Sequence, residues 1–434
     1  MLNKLNMKNY SLILSLLLGL IFNPAAAQDA NIDKAVKEHL AEIINIRHHL
    51  HQNPELGNRE FKTAELVAEH LRKLGLEVRT GIAHTGVLGV LIGGKPGSVV
   101  AVRADMDALP VTEQTDLPYK STVRTTYLGK DVGVMHACGH DIHTSALLGV
   151  ASVMASIKDD IPGTIKFIFQ PAEEGVPRGE QGGASMMVDE GVLDDPRPGA
   201  IFGLHTDPAF NVGQINYAVG PAMAAVDRFS ITIKGKQAHG AAPENSIDPI
   251  VTASHAVVAL QTIRSRNLDP LQPSVVTVGV FRGGERFNII PEEVLLEGTV
   301  RTYDPVIRKT IERRINEIMD GITRSAGATY EISYSGGGSS VFNNIELVNN
   351  TLPIMREILG EVNVIETPPQ MTGEDFSVYA NMIPGFFFWL GVNNPEFPSG
   401  ALHNPTYRAD DSSVEAGMRL MSNILLDYLR SNKN

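Results

Sequence analysis

The sequence predicts an α/β fold interrupted by an inserted α+β unit, on three observations. Short apolar runs alternate with helix-spaced segments through the first part of the chain. Near residue 220 the pattern changes to the order β-α-β-β-α-β. The first texture then resumes at Ile345 and runs to the end. Alternating strands and helices favour a sheet whose functional groups lie at strand ends.

Residues 32–52 place Ile32, Val36, Leu40, Ile43, Ile44 and Leu50 at helical spacing, and Thr63–Leu74 repeats the pattern with Gly75 as its stop. Val87–Ile92 and Val99–Ala104 read as short buried strands. A helix over Thr144–Ile157, rich in Ala, Leu and Val, precedes an apolar strand over Thr164–Gln170. In the second unit Arg228–Lys234 alternates as a strand and Pro249–Ser265 reads as a helix. Val275–Phe281 and Val294–Thr302 follow as strands, Val306–Ala326 as an amphipathic helix and Thr329–Tyr334 as a closing strand. That order is the ferredoxin-like unit. Beyond it, helices over Ile345–Leu359 and Ser412–Arg430 flank Phe386–Leu390, an aromatic-rich strand. The implied division is 28–218 and 336–434 for the two parts of an outer domain, with 219–335 inserted.

The formal net charge of −12 argues against nucleic acid as a partner, because phosphate binding needs clustered Lys and Arg. Residues 1–27 read as a signal peptide. Lys4 and Lys8 form a basic start, Ser11–Phe22 is an apolar run too short to span a bilayer, and Ala25-Ala26-Ala27 offers a cleavage site before Gln28. The bland alternative is an uncleaved interfacial anchor. The expectation is export, to the periplasm or the medium, with no stable membrane insertion after processing. Cys138 is the only cysteine, so no intrachain disulfide can form. A lone thiol in an oxidising compartment is a liability unless it is buried or bound to something.

The densest chemical signal is Met135-His136-Ala137-Cys138-Gly139-His140-Asp141-Ile142-His143, which holds three histidines, a cysteine and a carboxylate in nine residues. Thiolate and imidazole are the ligands that zinc-like metals favour. Cys138 and His140 are two apart and share one face of extended backbone, and the glycine between them lets the chain approach an ion. Upstream, Asp105 and Asp107 end a buried strand; they suit orientation of metal-bound histidines, or simply a turn. Glu173 and Glu174 follow the strand ending at Gln170. Adjacent carboxylates repel unless a cation is near, and a natural division has one bind metal while the other handles protons. His205 follows a short apolar strand, and His403 lies in a loop after Trp389. Either histidine alone would more often be structural.

Together these segments resemble the metal-dependent N-acyl-amino-acid amidohydrolases: hippurate hydrolases, aminoacylases and auxin–amino-acid conjugate hydrolases, within the glutamate carboxypeptidase-like clan. The resemblance covers essentially the whole mature chain. Its marks are Arg47-His48-His49-Leu50-His51 through Pro54-Glu55, the Asp105 segment, Met135–His143, Pro171–Gly175, Gly203-Leu204-His205, Gly373-Glu374-Asp375-Phe376 and His403. It implies Cys138, His140, Glu174, His205 and His403 as ligands of two divalent ions and Glu173 as general base. Zn²⁺ or Mn²⁺ is the first expectation, and Ni²⁺ and Co²⁺ also suit such ligands. It further implies a zinc-peptidase-like catalytic domain whose ferredoxin-like insert serves as lid and homodimer contact. In that insert, His239 is similar to a histidine that reaches the active site, often that of the other subunit. Asn288 and Arg301 resemble binders of the substrate carboxylate. One departure is the stretch Val176–Gly183, longer than in many relatives and beside the metal residues, which leaves substrate identity open.

The expected reaction is hydrolysis of the amide of a small N-acyl amino acid. The alternatives are a metallo-dipeptidase or carboxypeptidase, a cysteine hydrolase using Cys138 as nucleophile, and a binding protein that keeps the fold. His140 and His143 lie too close in sequence to Cys138 to serve easily as a remote triad partner.

Overall fold

The apolar runs of the first unit become the middle of one eight-stranded sheet. The computed structural model describes the backbone from Pro24 to Asn432 and the side chains from Ala30 onward. The basic start and apolar run expected of a signal peptide lie outside the described residues, and the first helix, Pro24–Gln52, covers the expected cleavage site. In spatial order the strands are Glu77–Ile82, Gly86–Ile92, Pro162–Gln170, Lys95–Asp105, Ala200–Asn211, Gly385–Asn393, Ile215–Tyr217 and Val364–Glu366. The four from Pro162–Gln170 to Gly385–Asn393 are mutually parallel.

Parallel strands need cover on both faces, and side-chain alternation supplies two apolar surfaces. Val100, Val102, Phe386, Phe388 and Leu390 join one core with the helices Pro24–Gln52, Phe61–Lys73, His140–Ser156, Ile345–Leu359 and Ser412–Ser431. Their neighbours Ala101, Ile168, Phe387 and Trp389 face a smaller core with the Gly183–Asp189 helix. His140–Ser156 is apolar all round and buried along nearly its whole length. Its amino end is thereby held rigidly under the carboxyl ends of the parallel strands.

Four antiparallel strands build a second sheet in the order Ser274–Gly283, Glu293–Thr302, Ala225–Lys234 and Thr329–Gly336. This is the ferredoxin-like order. Its helices, Pro249–Thr262 and Pro305–Ala326, start alike. Asp248 and Asp304 each accept two backbone N–H bonds, and a proline occupies the first turn. Phe229, Ile231, Ile233, Leu260, Ile311 and Ile315 close a separate core. The architecture is thus the α/β fold with a ferredoxin-like insert that the sequence predicts.

Candidate metal centre

Functional side chains gather where the four parallel strands end, the usual place for a site in an α/β sheet. Lys95–Asp105 leads to Asp107, Pro162–Gln170 to Glu173 and Glu174, and Ala200–Asn211 contains His205. Gly385–Asn393 leads to the loop of His403, and the turn before His140–Ser156 supplies Cys138.

The five residues expected to hold metal converge. Cys138 Sγ lies 3.3 Å from His205 Nε2 and 3.2 Å from His403 Nε2. His403 Nε2 lies 3.0 Å from Glu174 Oε1. The ligand atoms of Cys138, His140 and His205 all fall within 4.8 Å of one another, as do those of Cys138, Glu174 and His403. A third such group, His140, Glu173 and Glu174, brings in the proposed base.

These residues fit cations. Both ring nitrogens of His140 are buried with no hydrogen-bond partner, an expensive state unless something else takes the lone pair. The ring sits with Nδ1 3.3 Å from Asp107 Oδ1 and Nε2 3.8 Å from Asp105 Oδ2. Burial, with the charges of Glu174 and Glu173, pushes the Cys138 thiol well above its ordinary range. A bound cation reverses that sign and favours thiolate. Glu173 is likewise pushed well up, by burial and then by Glu374 and Glu174.

Buried groups below the cluster fix its geometry. Asp107 accepts the backbone N–H of both Glu173 and Glu174, each at 3.0 Å. Glu60 accepts from Ala172 N at 2.9 Å and from the Thr85 hydroxyl at 2.6 Å. Burial and the charge of Asp107 push Glu60 up to about 7. Arg103 is 1 % exposed and bonds Asp105, Gln170, Glu374 and Asp375. Against the cost of burial, His140, Arg103 and His143 hold Asp105 well below the usual carboxylate range. His143 packs against the rings of His205 and His140, with both of its nitrogens engaged by other partners. Its Nδ1 lies 2.5 Å from Asp105 Oδ1, and its Nε2 accepts from Thr206 N at 2.8 Å.

The residues of the insert are less closely drawn in. His239 is exposed on a two-residue strand, Ala238–His239, paired with Ile289–Ile290, and its Nδ1 accepts from Ala241 N. The Asn288 carbonyl accepts from Gly240 N, so Asn288 and His239 share one end of the insert. Among the described residues, no hydrogen bond or ion pair ties either to the cluster. Arg301 lies nearer: a Cβ on Gly373, next to Glu374, would stand 3.4 Å from its Nη1. The Val176–Gly183 stretch is anchored by Glu180, which pairs with Arg59 at 2.6 Å and accepts from Asn58 at 3.1 Å. Sequence reasoning gave no role to Glu60, Thr206 or Tyr407. None carries a metal-binding signature, and only the fold shows what they touch.

A cluster of cysteine, histidine and glutamate donors at the carboxyl edge of a parallel sheet, with a spare carboxylate beside it, fits a metal-dependent hydrolase. The chain belongs to peptidase family M20/M25/M40, whose pattern matches residues 101–427. It is 38 % identical over 373 residues to an N-acetyl-L-cysteine deacetylase of Bacillus subtilis, covering 86 % of this chain and 85 % of that one. It is 38 % identical over 390 residues to a hippurate hydrolase of Campylobacter jejuni, covering 90 % and 97 %. A thermostable carboxypeptidase of Saccharolobus solfataricus is also 38 % identical, over 404 residues covering 92 % and 98 %. Among solved structures, a dinuclear metal-binding M20 peptidase from Bacillus subtilis superposes with a TM-score of 0.77 at 33 % identity, covering 91 % of this chain and 99 % of that one. The chain is accordingly a hydrolase that acts on amide bonds.

Proposed function

We propose that this chain is an exported amidohydrolase that cleaves N-acyl amino acids to a carboxylate and a free amino acid. The observation that carries the proposal is the convergence of Cys138, His140, Glu174, His205 and His403 with Glu173 beside them. The five are the ligands in this reading. Zn²⁺ or Mn²⁺ is the expected pair, with Ni²⁺ and Co²⁺ also suited to the donors. Two divalent ions held by these five residues would supply the Lewis acidity that activates a water and polarises the amide carbonyl. Glu173 takes the water's proton and passes it to the leaving nitrogen. Its crowding by Glu374 and Glu174 suits that exchange, because a carboxylate raised toward neutrality both accepts and releases a proton. Arg301 and Asn288 bind the substrate carboxylate. His239 donates to the carbonyl oxygen as charge develops there. It is brought in by closure of the insert or by a partner copy.

In this reading a second copy pairs through the insert. Ser274–Gly283 is an edge strand carrying exposed Phe281, and the neighbouring Pro249–Thr262 helix exposes Val251 and Val258. An open, apolar sheet edge invites pairing. The homodimer predicts a solution mass twice that of the processed chain. Export predicts Gln28 as the first residue of the mature protein.

The carboxypeptidase relative supports a second reading, cleavage of small peptides. Assays of hippurate, acetyl amino acids and dipeptides, before and after chelation, separate the two. The acylated amino acids are expected to exceed dipeptides in kcat/KM by at least about tenfold, a transition-state difference of about 1.4 kcal/mol. Activity disappears with chelator and returns with Zn²⁺ or Mn²⁺. Preference for dipeptides selects the second reading, and hydrolysis that resists full metal removal contradicts both.

A further inference from the structure

The backbone and hydroxyl of Thr206 make four hydrogen bonds, each to a different residue in or beside the ligand cluster. Its N–H donates to His143 Nε2 at 2.8 Å. Its carbonyl lies 2.7 Å from His205 Nδ1, which fixes the proton there and leaves Nε2 bare toward Cys138. Its hydroxyl donates to the Cys138 carbonyl at 2.8 Å and accepts from the Tyr407 hydroxyl at 3.1 Å. Thr206 and Tyr407 are 0 % and 1 % exposed, so water does not substitute for these partners.

The two hydroxyls also fill the space above the turn between Cys138 and His140. Gly139 has φ +86°, and a Cβ there would stand 2.4 Å from both Thr206 Oγ1 and the Tyr407 oxygen. The loop of Tyr407 is tied to the same turn by His403 N, which donates to the Ala137 carbonyl at 2.8 Å, and is itself closed by Tyr407 N, which donates to Asn404 O at 2.9 Å. Three segments remote in sequence, carrying Cys138, His205 and His403, are therefore joined through one pair of hydroxyls.

We propose that Thr206 and Tyr407 are positioning residues that set the spacing of Cys138 and His205 for metal. The inference rests on the metal reading given above. It adds that ligand spacing is controlled by a hydroxyl relay outside the ligand set. Valine keeps the shape of Thr206 and removes only the hydroxyl, which strands the Cys138 carbonyl and the Tyr407 hydroxyl. Supporting groups of this kind typically change metal affinity by about 10- to 100-fold.

The test loads the mature wild type, Thr206→Val, Thr206→Ser and Tyr407→Phe with Co²⁺. It follows affinity by chelator competition and the thiolate-to-cobalt absorption band. Thr206→Val is expected to bind Co²⁺ about 10-fold more weakly, with a shifted or weakened band. Thr206→Ser, which keeps the hydroxyl, restores both readouts. Wild-type affinity and an unmoved band in Thr206→Val overturn the proposal. A wild type that binds Co²⁺ without any thiolate band sinks the ligand assignment instead, so the two failures are distinguishable. Should Thr206→Val fail to fold, Tyr407→Phe decides: a displaced band supports the relay and an unchanged one refutes it.

Discussion

Glu173→Ala is expected to lower amide hydrolysis by about 10²- to 10⁴-fold while leaving the metal content of the protein unchanged. The separation follows from the local backbone. Asp107 holds the N–H of residues 173 and 174 alike, so truncating one side chain leaves the adjacent Glu174 in place. Stability should move in the opposite direction to activity. Glu173 is half-buried and repelled by Glu374, Glu174, Asp375 and Asp105. Removing it relieves that repulsion, so the melting temperature should hold or rise, as expected where a working group is kept at a cost to the fold. Turnover on the best substrate, metal analysis and a thermal melt check all three. Wild-type turnover in this variant would show that another group moves the proton.

Arg103→Leu is expected to cost about 3–5 kcal/mol, because it removes the cation from a buried ionic group and leaves its anions behind. Every side of the guanidinium is occupied: Nε donates to Gln170 at 2.9 Å, Nη1 to Asp105 at 2.7 Å, and Nη2 to Glu374 and Asp375 at 2.9 Å each. The variant should also change its pH response. Asp375 already stands at about 7, raised by burial and Glu374 although Arg103 opposes that rise. Without the arginine, the folded-state value of Asp375 rises further above its unfolded one. Groups shifted upward in the folded state favour folding at low pH and weaken it as pH climbs through the folded value. Denaturant unfolding should therefore show a smaller deficit at pH 5.5 than at pH 8. A deficit below about 1 kcal/mol, or one that ignores pH, would mean that the network contributes little.

The chemistry was legible in the sequence wherever a single segment concentrates it. Cys138 and His140 stand in one short motif, and Glu173 and Glu174 adjoin at the end of a readable strand. His205 and His403 carry no local signal and were reached through resemblance. Their closeness to Cys138 depends on the parallel pairing of Ala200–Asn211 with Gly385–Asn393, which periodicity does not reveal. The supporting layer was less visible. Glu60 looks like an ordinary surface charge until its burial is seen, and Arg103, inside a strand read as buried, shows its four partners only in the fold. Thr206 and Tyr407 act through hydroxyls that many positions could supply.

The long elements were read closely, because helical or apolar periodicity marks them. Ile215–Tyr217 and Val364–Glu366 are three residues each, too short to show a period, and Glu77–Ile82 is a mostly exposed edge strand. The helix read as ending at Ser265 leaves α geometry at Thr262 and continues as a π-helical turn over Ile263–Asn267. No local residue signal marks that change. His239, exposed, and Asn288, half-buried, stand together at one end of the insert, whose reach to its own or a partner's metal residues no sequence motif encodes. Sequence fixes neither the angle between two domains nor the placement of a second subunit.

The most direct measurement is anomalous diffraction from crystals of the metal-loaded protein, recorded on both sides of the metal absorption edge. Two peaks per chain are expected, about 3.5–4 Å apart, enclosed by Cys138, His140, Glu174, His205 and His403 with Glu173 free of both. A single peak, or metal bound elsewhere while these five side chains remain unliganded, would contradict the account.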